Sequence, residues 1–174
     1  GEKFVAGMLG LRLDLFSTEK AVSLSRVFPG AYTGPSEGST LPLVKTSKMK
    51  LVIKSKKWMD ATTIDESLTP QYGQLCICAP RNYGLDMATL VESGDGGKPV
   101  LLVAHTKFTS PEKSNSVSNA ISAAKRLQEK YPCYQVVLAI MVKGGISDVE
   151  SLKERKDLSL VMYYGEKDHN IGQF

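Results

Sequence analysis

The sequence predicts a mixed α/β fold, a β-sheet covered by helices, from three observations. A nearly continuous apolar run at 134–142 has the length of a strand buried on both faces. Two further apolar runs, at 85–92 and 100–108, flank the glycine-rich connection "SGDGGK", which is typical of a β-hairpin. Between the hairpin and the run at 134–142 lies an amphipathic segment, 117–131, whose apolar residues recur at helical spacing. Strands separated by such a helix favour a sheet with helices packed on it.

The N-terminal half contributes further elements. Apolar residues recur at helical spacing from Phe4 to Leu15 and resume at 21–24 after a break, so the chain is predicted to start helical. The segment 29–44 combines glycine, proline, serine and threonine with little periodicity, which predicts a loop or hinge. Short apolar runs at 49–53 and 75–78 predict two strands.

The C-terminal part is predicted to extend the sheet. Pro111 suits the first turn of the amphipathic helix, and Gly144 with Gly145 ends the buried strand. Ser147 and Glu150 have capping-box spacing for a short helix. An apolar run at 158–164 then predicts a last strand, so that 146–174 form a helix-strand extension of a single domain spanning 1–174.

Length and composition restrict the class of protein. The chain has 174 residues, of which 42% are hydrophobic, enough to bury one substantial core. It contains neither an apolar stretch of membrane-spanning length nor a signal peptide, so we expect a soluble domain with no membrane partner. Its oligomeric state is not predicted.

The three cysteines show neither disulfide-framework nor zinc-site spacing. Cys76 and Cys78 share one face of a predicted strand and are interpreted as small core residues. A reducing compartment is therefore expected.

Positive charge is concentrated rather than large in total. The net charge is +4, yet six lysines crowd into the short segment 45–57. Such a run is typical of a solvated edge strand whose lysines discourage association between sheets. It is equally compatible with a patch that contacts phosphates. Both interpretations remain open at this point.

Three polar residues are expected to meet where the hairpin ends. Residues two apart in a strand face the same way, so His105 and Lys107 lie together on one side. Asp86 is the one acid in the apolar stretch "GLDMATLV", on the preceding hairpin strand. One interpretation is a structural one, a buried Asp–Lys ion pair with a hydrogen-bonded histidine. The other is a catalytic cluster.

The order of elements resembles the PD-(D/E)xK nuclease superfamily. That order is a helix with an early acid (Glu2), a strand with a lone Asp86, a hairpin, a strand ending in x-x-Lys, an amphipathic helix and a buried strand. The stretches "LCICAPRNYGLDMATLV" and "PVLLVAHTK" look like the nuclease-like C-terminal domains of crinkler effectors and related retrotransposon-hot-spot-type proteins. The resemblance implies a restriction-endonuclease-like mixed sheet flanked by helices, with an αβββαβ core.

The resemblance also implies roles for individual residues. Asp86 would bind a Mg²⁺ or Mn²⁺ ion, with the backbone carbonyl of Thr106 as a further oxygen ligand and Glu2 completing the shell. Lys107 would orient the attacking water or stabilise charge developing on the scissile phosphate. The reaction would be metal-dependent hydrolysis of phosphodiester bonds in nucleic acid, with DNA as the expected substrate.

His105 departs from the family pattern, in which Glu, Asp or Gln usually stands at this place. Imidazole suits softer ions than Mg²⁺, so the site could use another metal. An acid such as Glu112 or Glu92 could instead have taken over as ligand, or the site could bind nucleic acid without cutting it. A histidine acting as general base is the fourth alternative.

Several residues are candidates for contacting the nucleic acid. Lys54, Lys56, Lys57 and Lys113 could contact phosphates, and Trp58 and Tyr83 could stack on bases. The crinkler resemblance implies a parent protein delivered into host cells, an intracellular effector acting in the nucleus, and a host protein as a further partner. Two alternatives stay open: an inactive nuclease-fold module that binds nucleic acid or a host protein, and an unrelated α/β interaction domain.

Overall fold

A computed structural model describes residues 2–34, 41–107, 114–142 and 159–164. The helices are α1 (Glu2–Leu15), α2 (Leu24–Val27) and α3 (Ser114–Lys130), and Glu66–Leu68 form a 3-10 turn. The strands are β1 (Val22–Ser23), β2 (Tyr32–Gly34), β3 (Leu43–Lys45), β4 (Lys50–Ile53), β5 (Gln74–Ile77), β6 (Met87–Ser93), β7 (Val100–Lys107), β8 (Gln135–Val142) and β9 (Ser159–Tyr164). The predicted mixed α/β fold is confirmed.

The strands form one mixed sheet in the order β1-β3-β6-β7-β8-β9-β2. The first residues of β6 also pair with β5, and β5 pairs with β4, so β5 and β3 share one edge of β6. Neighbouring strands run antiparallel from β5 through β6 to β7, whereas β7, β8 and β9 run parallel. Within this longer series, α1, β5, β6, β7, α3 and β8 form a helix, three antiparallel strands, a crossover helix and a parallel strand, with β1 to β4 and α2 inserted between α1 and β5.

Each face of the sheet carries its own apolar core. Helices α1 and α2 cover one face, where Leu9 and Leu13 pack with Leu102 and Ala104 of β7. Helix α3 covers the other face together with Trp58. Strand β8 is buried from Val136 to Val142, which confirms the prediction of a central strand covered on both faces.

The structure differs from the sequence-based expectation at 21–24 and 29–44. Val22 and Ser23 pair with β3 as β1, and Ser23 caps the short helix α2, so the first helix does not resume there. Two short strands, β2 and β3, lie where a loop or hinge was predicted. Strands of two or three residues are too short to show periodicity and exist because distant strands pair with them.

Some predicted features cannot be compared. Pro111, the stop at Gly144 and Gly145, and the capping box of Ser147 and Glu150 lie outside the described residues, as do Glu112 and Lys113. The predicted last strand is present as β9. Among the described helices, none combines the length and the apolar character that crossing a bilayer requires.

Candidate functional site at the end of strand β7

The loop between β5 and β6 positions Asp86, and Asn82 holds this loop. The Asn82 Oδ1 atom accepts hydrogen bonds from the backbone N–H groups of Trp58 and Met59, each at 2.9 Å. Its Nδ2 donates to the carbonyl of Leu85 at 3.1 Å. One side chain therefore ties the segment before Asp86 to a distant loop, a role that sequence reasoning missed because an asparagine in a loop has no periodic signal.

Gly84 lets the same loop approach helix α3. Its φ is +68°, in the left-handed region that favours glycine. A Cβ at this position would lie 2.5 Å from the carbonyl oxygen of Asn119 in α3. The close packing of loop against helix thus requires glycine two residues before Asp86.

The carboxylate of Asp86 extends the hydrogen-bond ladder between β6 and β7. The backbone N–H of Asp86 donates to the carbonyl of Ala104 at 2.8 Å. Beyond that point the Oδ2 atom accepts from the backbone N–H of Thr106 at 2.6 Å and from its hydroxyl at 3.3 Å. A charge-assisted bond of this kind fixes the side chain relative to the end of β7.

His105 completes the surroundings of Oδ2. Its Nδ1 lies 3.3 Å from that oxygen, and its side chain is 11% exposed. Among the described residues, the two hydrogen bonds to the Asp86 carboxylate both come from Thr106 and are made to Oδ2. The side chain of Asp86 is 24% exposed, so its carboxylate is accessible to a ligand.

Glu2, in the first turn of α1, brings a second carboxylate to this place. Partial burial raises the pKa of Glu2 above its ordinary value, and repulsion by Asp86 raises it further, while the chain terminus and His105 act in the opposite direction. The charge of Asp86 therefore acts on Glu2, and a shared role of the two residues in metal binding stays a prediction. A cation near either carboxylate would reduce their repulsion.

Lys107 does not pair with Asp86. It is half-buried at the end of β7, and within the described residues it forms no ion pair with that carboxylate. The interpretation as a buried Asp–Lys pair was wrong, because Asp86 turns towards Thr106 and His105. The histidine of that interpretation does contact Asp86, with its Nδ1 3.3 Å from Oδ2.

The two carboxylates suit a hard divalent cation better than a zinc-like site. Carboxylate oxygens are the ligands that Mg²⁺ prefers, and Asp86 and Glu2, which interact electrostatically, each offer one carboxylate. The described residues contain no set of three His, Cys, Asp or Glu side chains already arranged around one point. The N–H and hydroxyl of Thr106 donate hydrogen bonds to Asp86. The Thr106 atom that the resemblance names as a metal ligand is its backbone carbonyl oxygen, which takes no part in these two bonds.

Glu92 is too far along β6 to serve as a substitute ligand. It pairs with Lys45 of β3, at the end of β6 remote from Asp86. That alternative was wrong, since a seven-residue strand separates the two acids by most of its length. The other alternative ligand, Glu112, lies outside the described residues.

Cys78 is a neighbour of the site that the sequence did not indicate. Its backbone N–H donates to the carbonyl of Asp86, which places the two residues opposite one another. Burial raises the pKa of the Cys78 thiol, and the nearby Asp86 carboxylate adds to this, so the thiol stays protonated. The prediction that Cys76 and Cys78 are buried is confirmed.

The aromatic candidates for base stacking are engaged within the fold. Trp58 is 3% exposed and packs under α3, so the prediction that it could stack on a base was wrong. The Tyr83 hydroxyl bonds Asn119 at 3.2 Å, and the guanidinium of Arg126 lies over its ring. Burial of the large apolar surface of Trp58 in the core is favourable.

The candidate phosphate-contacting lysines lie at the same end of the sheet as Asp86. Strand β4 is an edge strand in the described part of the chain, because it pairs with β5 alone. Lys54 directly follows β4, and its backbone N–H donates to the carbonyl of Ile77, the residue before Cys78. Lys56 and Lys57 come next and are exposed. The edge-strand interpretation of the lysine run is thus confirmed for β4, and it leaves the exposed lysines available to an anion.

Comparison of the chain with protein-family models, curated proteins and solved structures finds no match in any of the three.

Proposed function

We propose that this chain hydrolyses phosphodiester bonds in nucleic acid, with DNA as the expected substrate, in a metal-dependent reaction. The observation that carries the proposal is the arrangement around Asp86. Its Oδ2 atom accepts hydrogen bonds from Thr106 and contacts His105, and the partly exposed carboxylate interacts electrostatically with Glu2. Lys107 follows on the same strand, on the same side as His105.

The acidic residues would hold the ion and the lysine would act on the substrate. Asp86 Oδ1 and Glu2 would bind Mg²⁺ or Mn²⁺, with the Thr106 carbonyl as the further oxygen that the resemblance implies. A bound divalent cation supplies Lewis-acid polarisation of the phosphate and a water of lowered pKa. Lys107 orients that water or stabilises the charge that develops on the phosphate oxygens.

His105 is held in one orientation by Asp86. When the imidazole is neutral, its contact with Oδ2 keeps the proton on Nδ1. Orientation of a histidine by a carboxylate is the arrangement that general-base catalysis uses. His105 is therefore assigned to proton transfer rather than to metal binding.

The fold and the charge distribution support the proposal. The order αβββαβ in α1, β5, β6, β7, α3 and β8 is the core order that the resemblance to PD-(D/E)xK nucleases implies. Lys54, Lys56 and Lys57 would contact backbone phosphates beside the site. By the same resemblance the domain would be the effector part of a larger protein acting in a host nucleus.

A second candidate, a nuclease-fold module that binds nucleic acid or a host protein without cutting it, is favoured by one observation. The contact between His105 and Asp86 offsets part of the carboxylate charge when the imidazole is protonated. A carboxylate neutralised in this way attracts a cation less strongly. Binding of nucleic acid or of a host protein that persists in chelator would distinguish this binding module from the metal-dependent nuclease.

Plasmid nicking in Mg²⁺, in Mn²⁺ and in EDTA tests the proposal. Wild type is compared with Lys107→Ala and Asp86→Asn, each checked for a cooperative melting transition. Lys20→Ala is the matched control, because Lys20 is exposed and precedes Ala21, which lies against the β6–β7 turn at the opposite end of the sheet. We expect chelator-sensitive nicking that falls at least a hundredfold in both site variants and is unchanged in the control.

Two results would contradict nuclease activity. Absence of nicking by folded wild type in both metals, with the plasmid still retarded in a gel, supports the binding module. Nicking that is equal in wild type and both site variants points to a contaminating nuclease.

A further inference from the structure

Helix α1 and strand β4 border an apolar groove outside the Asp86 site. Its floor and walls include Gly7, Gly10 and Leu11 of α1, with Leu51 of β4 and Leu75 of β5. The groove holds about 140 Å³. An engineered apolar cavity of about 150 Å³ in another protein binds benzene, so this volume accommodates one branched aliphatic side chain.

Exposed apolar side chains continue the groove on both sides. Phe4 and Leu11 on α1 are 72% and 64% exposed, and Leu51 and Ile53 on β4 are 44% and 60% exposed. Phe4, Gly7 and Leu11 follow one another at helical spacing, so they lie on one side of α1. An apolar surface made by a helix and a neighbouring strand is typical of an interaction site.

Strand β4 also offers a backbone edge. In the described part of the chain it pairs with β5 on one side only. The N–H and C=O groups on its other side are thus available to an added strand. An extended peptide recognised in this way gains main-chain hydrogen bonds from the edge and specificity from side-chain pockets.

Charge alternates with apolar character along this edge. Leu51 and Ile53 face the side of the sheet that α1 covers, and strand alternation puts Lys50 and Lys54 on the other side. The position of Lys54 agrees with this, because its charge acts on the thiols of Cys76 and Cys78. A strand laid along β4 would meet Leu51 and Ile53 on one face, and on the other face Val52 flanked by the ammonium groups of Lys50 and Lys54.

We propose that the α1–β4 groove binds an extended peptide segment of a partner protein in which apolar and acidic residues alternate. The segment adds to β4 as an edge strand, places one aliphatic side chain between Gly7 and Leu51, and directs its carboxylates towards Lys50 and Lys54. The groove lies outside the Asp86 cluster and does not depend on the proposed nuclease activity, although the two sites share Lys54 as a candidate contact.

The same charges disfavour a second copy of this chain as the occupant. Two β4 strands paired antiparallel would set the lysines of one copy against those of the other, and like charges directly opposite destabilise a strand pair. Nucleic acid is disfavoured as well, because the lining combines apolar side chains with the carboxylate of Asp14, which would repel phosphates.

Gly7 allows a test that does not weaken the fold. A Cβ at Gly7 meets no atom within 4 Å, so Gly7→Leu fills the groove without a clash at Cβ. Glycine within a helix is less favourable than leucine, and the melting temperature should therefore stay equal or rise. Lys50→Glu is the second variant, because Lys50 is exposed and its reversal alters charge only.

The probe is a displayed library of random decapeptides selected on wild type, followed by affinity measurements on the selected peptides. We expect enrichment of alternating apolar and acidic residues, with affinity at least tenfold weaker in Gly7→Leu and in Lys50→Glu. Asp86→Asn should keep the wild-type affinity, which separates this result from any failure of the proposed nuclease activity.

Three outcomes would overturn the inference. Absence of enrichment, or selected peptides that bind Gly7→Leu as tightly as wild type, removes the groove as a peptide site. Tighter binding of a 20-nucleotide single strand that Gly7→Leu abolishes assigns this surface to nucleic acid. A wild-type dimer in sedimentation that Gly7→Leu converts to monomer assigns it to a second copy.

Discussion

The two oxygens of the Asp86 carboxylate have different surroundings, and this difference defines the candidate site. Oδ2 continues the strand ladder by binding the N–H of Thr106, which is a structural role. Oδ1 accepts no hydrogen bond from the described residues, and the side chain is 24% exposed, so this oxygen is the candidate ligand atom. The structural and the catalytic interpretation of this aspartate are therefore compatible within one side chain.

The raised pKa of Glu2, caused first by partial burial and then by repulsion from Asp86, predicts a pH-dependent stability in the absence of metal. The folded-state pKa of Glu2 is raised, so the native state binds the proton more tightly than the unfolded chain does. Stability is then lost as the pH rises from the unfolded pKa of about 4.3 through the raised folded value. In EDTA, Glu2→Gln should melt above wild type at pH 7, and the two should converge near pH 3.5.

Glu129→Gln is the control for this comparison, since Glu129 is exposed on α3. Its melting temperature should track wild type at both pH values. A constant offset between Glu2→Gln and wild type across the pH range would show that the effect is not the ionisation of Glu2.

Among the structural elements, the loop between β5 and β6 decides where the site forms. Asn82 ties it to the Trp58–Met59 segment, and Gly84 lets it contact the backbone of α3. Both residues act through the position of Asp86, with no expected contact to a substrate. They are positioning residues of the candidate site.

Asn82→Ala should lower the free energy of unfolding by roughly 2–3 kcal/mol, because it leaves two backbone N–H groups and one carbonyl without their partner. Urea denaturation measures the change. Asn82→Asp keeps the acceptor and loses only the donor to Leu85, so its loss should be intermediate. Equal stability of Asn82→Ala and wild type would contradict the role given to this side chain.

Across the whole molecule, the positive charges and the Asp86 cluster share one end of the sheet. Lys54 follows β4 beside Cys78, and Cys78 lies opposite Asp86. Lys56 and Lys57 extend this charge into solvent. A nucleic acid bound at Asp86 would pass over these lysines.

The salt dependence of DNA binding tests this path. Replacing both Lys56 and Lys57 with alanine should reduce the slope of log Kobs against log salt by up to about 1.8 for a duplex, since each lost phosphate contact removes about 0.9. Fluorescence anisotropy with a labelled duplex in EDTA measures the slope. Lys20→Ala should leave it unchanged, and an unchanged slope in the double variant would place the DNA elsewhere.

The sequence by itself determined the elements with strong periodicity and the residues of the cluster. The amphipathic pattern of 117–131 predicted α3, the apolar run at 134–142 predicted β8, and the glycine-rich turn predicted the β6–β7 hairpin. Strand alternation placed His105 and Lys107 on one side, and the hairpin brought Asp86 to His105. These features are local, so a short stretch of chain contains the information.

Only the tertiary structure decided which of these residues contact one another. Whether Asp86 turns towards Lys107 or towards His105 and Thr106 depends on the loop that Asn82 and Gly84 hold against distant segments. The strands β1, β2 and β3, the burial of Trp58 and the groove beside Gly7 likewise arise from pairing and packing between residues far apart in sequence. Such contacts leave no periodic signal in the chain, because each depends on where another element comes to lie.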